Sequence, residues 1–184
     1  PNIVIIIVEG LCNYISGKNS TIASATPFLD SLSEHSLVWE NCLSTSERTF
    51  GALPSILGAL PFGENGFMSY RRNVPTFNTI ATILHDNGYK NTFFYGGWYG
   101  FDNMDIFAES NLMEMYYDKP EYESAEQRNE WGLLDGYMLL HSLEDIKTSD
   151  TTPRLDIYLT LTTHDPFKYP NQDEYIKKYN ALSQ

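Results

Sequence analysis

The sequence predicts an α/β fold, a three-layer sandwich around a mostly parallel sheet. Short apolar runs rich in β-branched or aromatic residues, such as Ile3 to Val8 and Lys90 to Tyr95, alternate with segments whose apolar residues recur every three or four positions. No two-residue hairpin turn and no internal repeat joins these runs, so the connections cross over rather than double back. The composition of the 184 residues, 42% apolar and 20% charged, is that of a globular chain and excludes disorder and fibrous repeats.

Each element has a local reason. The opening run is apolar on both faces, the pattern of a central parallel strand, and it stops at Glu9-Gly10. Thr26-Pro27 reads as an N-cap with proline at the first helical position, opening a helix through Phe28, Leu29, Leu32 and Ser36. Residues Leu37 to Leu43 read as a second strand. Thr49 opens a helical segment (Phe50, Leu53, Ile56, Leu57) whose Pro54 demands an irregular or short first turn. Phe77 to Asn87 predicts a helix, with Ile80, Ile83 and Leu84 on one face and Gly88 past its end.

The alternation continues to the end of the chain. Lys90 to Tyr95 is a strand closed by Gly96-Gly97, Phe101 to Asn111 a short helix, and Leu112 to Tyr117 a strand. Asp118 to Glu130 is polar and acidic, a surface loop. Leu133, Tyr137, Leu140, Leu143 and Ile146 mark the clearest amphipathic helix. Leu155 to Leu161 is the last strand, Thr162 to Phe167 a loop, and Asp173 to Ser183 has helical composition.

Charge narrows the function classes. Twelve basic residues face 24 acidic ones, a net of −12, which repels nucleic acid and anionic surfaces. An anionic substrate therefore needs a local reversal of sign, for which a bound metal ion is the natural agent. No stretch approaches the roughly 20 apolar residues of a membrane helix. Cys12 and Cys42 form neither a zinc pattern nor a disulfide framework.

In open parallel sheets, ligands bind beyond the carboxyl ends of the strands. That rule nominates Glu9, the segment Ser44 to Thr49, the loop Gly96 to Asn103, and His164. Glu9 is either a solvated loop acid or cap, or a metal ligand, since hard cations select carboxylate oxygens. Thr49 is either a plain N-cap or a hydroxyl poised beside an anion at a helix start, and the second role requires activation by a metal. Arg48 is either a clamp on a phosphoryl oxygen or an ordinary surface cation. His164 is a loop histidine bonded to Asp165, or a general acid and donor to substrate. Trp98, Tyr99 and Phe101 line a pocket or cap the sheet edge, while His35, His85 and His141 read as structural.

Several of these segments together resemble a known family. Pro1-Asn2-Ile3-Val4-Ile5-Ile6-Ile7-Val8-Glu9-Gly10 resembles the opening strand of the sulfatase-like branch of the alkaline phosphatase superfamily, and Thr26-Pro27-Phe28-Leu29-Asp30 its following helix. Ser46-Glu47-Arg48-Thr49 is similar to the nucleophile segment of the lipoteichoic acid synthase type of phosphoglycerol transferase. Phe93-Phe94-Tyr95-Gly96-Gly97, Phe101-Asp102-Asn103-Met104 and Leu159 to Phe167 resemble the same branch.

The resemblance implies a threonine that attacks the phosphate of a phospholipid head group and hands the resulting phosphoglycerol to an acceptor hydroxyl. Carried onto this chain, Thr49 is nucleophile and metal ligand, Glu9 the first metal ligand, and His164 a catalytic contact to substrate near the phosphoryl group. Arg48 and Trp98 join His164 as substrate-binding residues. The implied cofactor is a divalent metal ion, manganese or magnesium first and zinc next. The implied partners are a phospholipid head-group donor and a glycolipid or glycan acceptor, with no nucleic acid. Membrane association runs through segments outside this chain, and the intact protein works at the extracytoplasmic face of a bacterial membrane.

Departures from the family pattern refine this. Cys42 is followed by Leu-Ser-Thr-Ser rather than the proline and arginine of a formylglycine sulfatase segment, which argues against sulfate-ester hydrolysis. Gly97 to Met104 holds Trp98 and lacks the aspartate and arginine that bind glycerol phosphate in the lipoteichoic enzymes. No Asp-His dipeptide occurs, so that metal-binding pair is expected beyond Gln184, and residues 1–184 are expected to be the N-terminal portion of one catalytic domain. Alternatives of the same fold are a phosphoethanolamine transferase and a sulfatase- or phosphodiesterase-like hydrolase. A non-catalytic binding domain with a degenerate site is the alternative from another class.

Overall fold

The computed structural model describes residues 1–21, 24–61, 70, 75, 77–117, 126–147, 151–169, 172–174 and 176–177. Its elements in chain order are β1 (Ile3–Ile7), α1 (Pro27–Ser33), α2 (Ala52–Gly58), α3 (Ile80–Asp86), β2 (Lys90–Tyr95), α4 (Met104–Ser110), β3 (Glu114–Tyr117), α5 (Asp135–Lys147) and β4 (Arg154–Leu159). Single 3₁₀ turns at Thr49–Gly51 and Phe101–Asn103 lead into α2 and α4. Residues 1–9 and 45–184 form one compact unit, and Gly10–Ser44 a second.

The four strands pair in parallel in the order β1-β4-β2-β3. Their register sorts side chains into two faces, because neighbours along a strand point to opposite sides. Ile5, Ile157, Phe93 and Met115 stand side by side on one face. They pack with Leu53 and Leu57 of α2, Ala81 of α3, and Met104 and Phe107 of α4. Tyr158, Phe94 and Tyr116 stand on the other face and meet Met138, Leu139 and Ile146 of α5. The rings of Phe94 and Tyr158 stack at 4.5 Å. Helices thus cover both faces of a parallel sheet, the layered α/β architecture that the sequence predicts.

Six local expectations are corrected. Residues 37–43 form no strand, and Leu37 and Leu43 are 84% and 89% exposed. The apolar run there is only Leu37-Val38-Trp39 before Glu40-Asn41 interrupts it, and a strand exists only with an edge to pair with. In that same unit, α1 ends at Ser33 rather than Ser36. Thr26 makes no side-chain cap, because its hydroxyl bonds to those of Ser16 and Ser24 instead.

β1 ends the strand order rather than occupying its centre, pairing with β4 alone among the described residues. Ile3, Ile5 and Ile7 join the core, while Val4 and Ile6 remain 55% and 54% exposed. The inward stripe of α5 is rotated from its apolar periodicity. Met138 and Ser142 are buried whereas Leu140 and Leu143 are exposed, because Ser142 shares a 3.0 Å hydrogen bond with the buried Tyr158 hydroxyl. On α3 the buried position is Ala81, and Ile83 faces solvent.

Other expectations stand. Gly88 follows the end of α3 with φ of +82°, although the helix starts at Ile80 rather than Phe77 because Thr79 and Thr82 form a reciprocal capping box there. Pro54 falls in the first turn of α2, where the amide it lacks would have no helical partner. The expected tail helix of residues 173–183 lies for the most part outside the described residues, as does much of the loop expected at 118–130.

Candidate active site

The carboxyl ends of β1, β2 and β4 lie side by side, so the loops that follow them meet. Glu9 follows β1 and is clasped by the loop after β4. Its amide donates to Thr160 Oγ1 at 2.8 Å, and Thr163 Oγ1 donates to its carbonyl. These bonds leave the half-buried Glu9 carboxylate directed at the 3₁₀ turn before α2. There the Thr49 hydroxyl donates to Glu9 Oε2 at 2.7 Å. The helix-cap reading of Thr49 therefore fails, since the N-cap position belongs to Arg48 and no side chain caps it.

Glu9, Arg48, Thr49 and His164 line one cleft of about 230 Å³ together with Glu47, Phe50, Tyr95, Phe101, Asp102, Trp131, Thr160 and Leu161. Of the seven residues nominated from sequence, Glu9, Arg48, Thr49, Phe101 and His164 share this cleft, and Trp98 and Tyr99 are not in its lining. Trp98 stands outside it, 69% exposed. Trp131 supplies the lining indole instead.

Tyr95 and Trp131 escaped sequence reasoning, and Asp102 lay within the nominated loop Gly96 to Asn103 without being singled out. Tyr95 is the last residue of β2, so the strand-end rule that found Glu9 would have found it. Burial pushes its hydroxyl up to about 12, and the negative charges of Glu9 and Asp102 add to the effect. It is thus a neutral donor over the whole working range of an enzyme. Asp102 reaches the cleft through a left-handed backbone turn, with φ of +50°. No local sequence signal marks Trp131 beyond the glycine that follows it.

Asp135, the first residue of α5, sets the position of the β4 loop. Its carboxylate accepts the amide of Leu161 at 2.7 Å and that of Thr162 at 3.2 Å, while its own amide donates to Thr162 Oγ1 at 2.8 Å. Burial raises its pKa above 3.8, the two backbone hydrogen bonds and that of Thr162 oppose the shift, and the charge of Glu9 reinforces it.

The donor set bears on the implied metal. Glu9 and Thr49 offer two hard oxygens 2.7 Å apart, in a cleft that also holds the carboxylates of Glu47 and Asp102. Such oxygens suit magnesium or manganese, and no thiolate is among them. Among the described residues no group of three or more His, Cys, Asp or Glu comes together, so Glu9 and Thr49 would need further ligands to complete a metal site. The fit is one of donor type.

Comparison with known proteins places the chain. A family model described as Sulfatase matches residues 1–183. A lipoteichoic acid synthase-like protein of Bacillus subtilis, YvgJ, is 20% identical over 99% of this chain and 30% of its own length. Two crystal structures share the fold. A protein of the alkaline phosphatase superfamily from Vibrio parahaemolyticus superposes with a TM-score of 0.77 at 23% identity, over 92% of this chain and 42% of that one. The lipoteichoic acid synthase LtaP of Listeria monocytogenes superposes with a TM-score of 0.72 at 20% identity, over 93% and 43%. The chain spans less than half the length of each of these relatives. No helix among the described residues is long and apolar enough to cross a membrane. The family model covers nearly the whole chain, and the chain belongs to the Sulfatase family.

Proposed function

We propose that this chain carries the nucleophile of a phosphoglycerol transferase, as the N-terminal portion, residues 1–184, of a single catalytic domain. The observation that supports this reading above all is the hydrogen bond from the Thr49 hydroxyl to Glu9 at the floor of a cleft that also holds Arg48 and His164. An unactivated threonine is a poor nucleophile, and a carboxylate already aligned with its proton is one means of activation.

In the first half-reaction the Thr49 oxygen bonds to phosphorus as the bond from phosphorus to the diacylglycerol oxygen breaks. The Thr49 proton leaves along its hydrogen bond to Glu9, and His164 gives a proton to the departing oxygen. In the second half-reaction an acceptor hydroxyl of a glycolipid or glycan displaces Thr49 from phosphorus and passes its proton to His164, while Glu9 returns its proton to the departing Thr49 oxygen. General acid–base assistance of this kind is worth about 10²- to 10⁴-fold. Arg48 holds a non-bridging phosphoryl oxygen, and the neutral Tyr95 hydroxyl donates to another. A divalent cation held by Glu9 and Thr49 would lower the charge barrier to the approach of an anionic diester. On this reading the intact protein acts at the extracytoplasmic face of a bacterial membrane, where phospholipid head groups are presented.

The test is covalent labelling. The intact protein, incubated with phosphatidylglycerol carrying a radioactive head group, should retain label at Thr49, and Thr49→Ala should abolish it. Undiminished labelling of the alanine variant overturns the assignment.

A further inference from the structure

We infer that Trp131 is the positioning residue for His164, fixing the imidazole in the Nδ1–H tautomer so that Nε2 is the nitrogen presented to substrate. The indole Nε1–H of Trp131 donates to the carbonyl of Asp165 at 2.7 Å. His164 Nδ1 lies 2.9 Å from the same oxygen. A carbonyl only accepts, so this second contact is a hydrogen bond when Nδ1 carries the proton. The two donors use both lone pairs of one oxygen. In addition the indole and imidazole rings pack at 4.1 Å between centroids with an interplanar angle of 46°. The ring contact holds the imidazole plane, and the shared carbonyl holds its rotation.

The placement of Trp131 is itself built. Asn129 Oδ1 accepts the amides of Trp131 and Gly132 at 2.9 and 3.2 Å, closing a tight turn. Gly132 then lies flat against the loop after β2, bridging Gly97, while the Leu133 amide donates to the Gly96 carbonyl at 2.8 Å. A Cβ at Gly132 would sit 2.2 Å from the Gly96 oxygen, and its φ of +151° disfavours any other residue. Asp135 pins the far side of the same segment to Leu161 and Thr162. Trp131 is therefore clamped between the loops after β2 and β4, and its indole reaches the one carbonyl that decides which imidazole nitrogen is protonated.

The second donor matters because a single flexible carbonyl would leave the tautomer free to exchange. Which ring nitrogen carries the proton is set by the hydrogen bond made by the other. With Nδ1 committed, Nε2 alone gains and loses the proton in both half-reactions. The catalytic meaning of this arrangement rests on the transferase reading, whereas the tautomer does not.

The experiment is ¹⁵N NMR of the histidine rings in the intact protein, with His164→Gln identifying the His164 signals. The wild type should show Nδ1–H and an unprotonated Nε2 in the neutral ring. Trp131→Phe keeps a ring against the imidazole but removes the indole donor, and it should shift His164 toward a mixture of tautomers. It should also lower kcat for head-group transfer about 3- to 10-fold, the range for one lost hydrogen bond, with KM within about twofold. A wild-type His164 in the Nε2–H form overturns the inference whether or not the variant folds, as does an unchanged tautomer in folded Trp131→Phe. The predicted tautomer without Thr49 labelling would leave the inference standing and remove the transferase reading.

Discussion

Thr49 and Glu9, 40 positions apart in sequence, are joined by a 2.7 Å hydrogen bond from hydroxyl to carboxylate. The bond unites the 3₁₀ turn before α2 with the loop after β1, and it explains why a threonine at a helix start leaves its cap position unused. Tyr95 and Asp135 stand around this pair, and each has a measurable consequence.

Tyr95→Phe removes a donor from the cleft while retaining its ring. Because burial and the charges of Glu9 and Asp102 hold the hydroxyl protonated up to about 12, it does not titrate in the working range. The variant should transfer head groups about 10- to 100-fold more slowly, the effect of one hydrogen bond to a charged oxygen. The ratio of wild-type to variant rate should be constant between about pH 6 and 9. Rates measured across that interval check both the size and the flatness.

Asp135 makes stability depend on acid pH in the less common direction. Its folded pKa is raised, chiefly by burial, above the ordinary 3.8. The folded state therefore holds a proton that the unfolded chain has already released. The stabilisation linked to that proton is complete below 3.8 and is lost as pH rises through the higher folded value. Asp135→Asn does not titrate, so the advantage of wild type over this variant in Tm should be greatest at the acid end and decline as pH rises through that window. Thermal unfolding at a series of acid pH values measures it.

Neighbouring strand positions should differ sharply in cost of truncation. Ile157→Ala opens a cavity in a fully buried face and should destabilise the protein by about 2–5 kcal/mol. Ile6→Ala removes a side chain that is already 54% exposed, and its cost should be about half of that or less. Denaturant midpoints of the two variants in the intact protein decide the comparison.

The strands and their order of appearance were legible because β-branched and aromatic runs bounded by Gly or Asp report local preference directly. Glu9 and His164 were legible as residues at strand ends, where parallel sheets put their ligands. Residues 37–43 were misread because an apolar run reports affinity for a partner edge without supplying one. The α5 stripe was misread because the buried polar Ser142 is explained only by Tyr158, a residue 16 positions away. Trp131 was hidden for the same reason, as its partner carbonyl lies 34 positions further on. Apolarity on both faces of β1 likewise said nothing of its rank in the sheet.

The clasp between Glu9 and Thr160 spans 151 residues, and β1 pairs directly with the last strand described. Loop-closure entropy on that scale must be met before the contact returns any energy, and contacts of long sequence separation form slowly. During synthesis the amino-terminal strand emerges with an apolar edge whose partner is more than a hundred residues from being made. The acid and the threonine can meet early, but the loop that holds the acid in register is made 151 residues after it. The cleft therefore waits on the β4 loop, and the nascent β1 stays without its pairing edge until that loop is made.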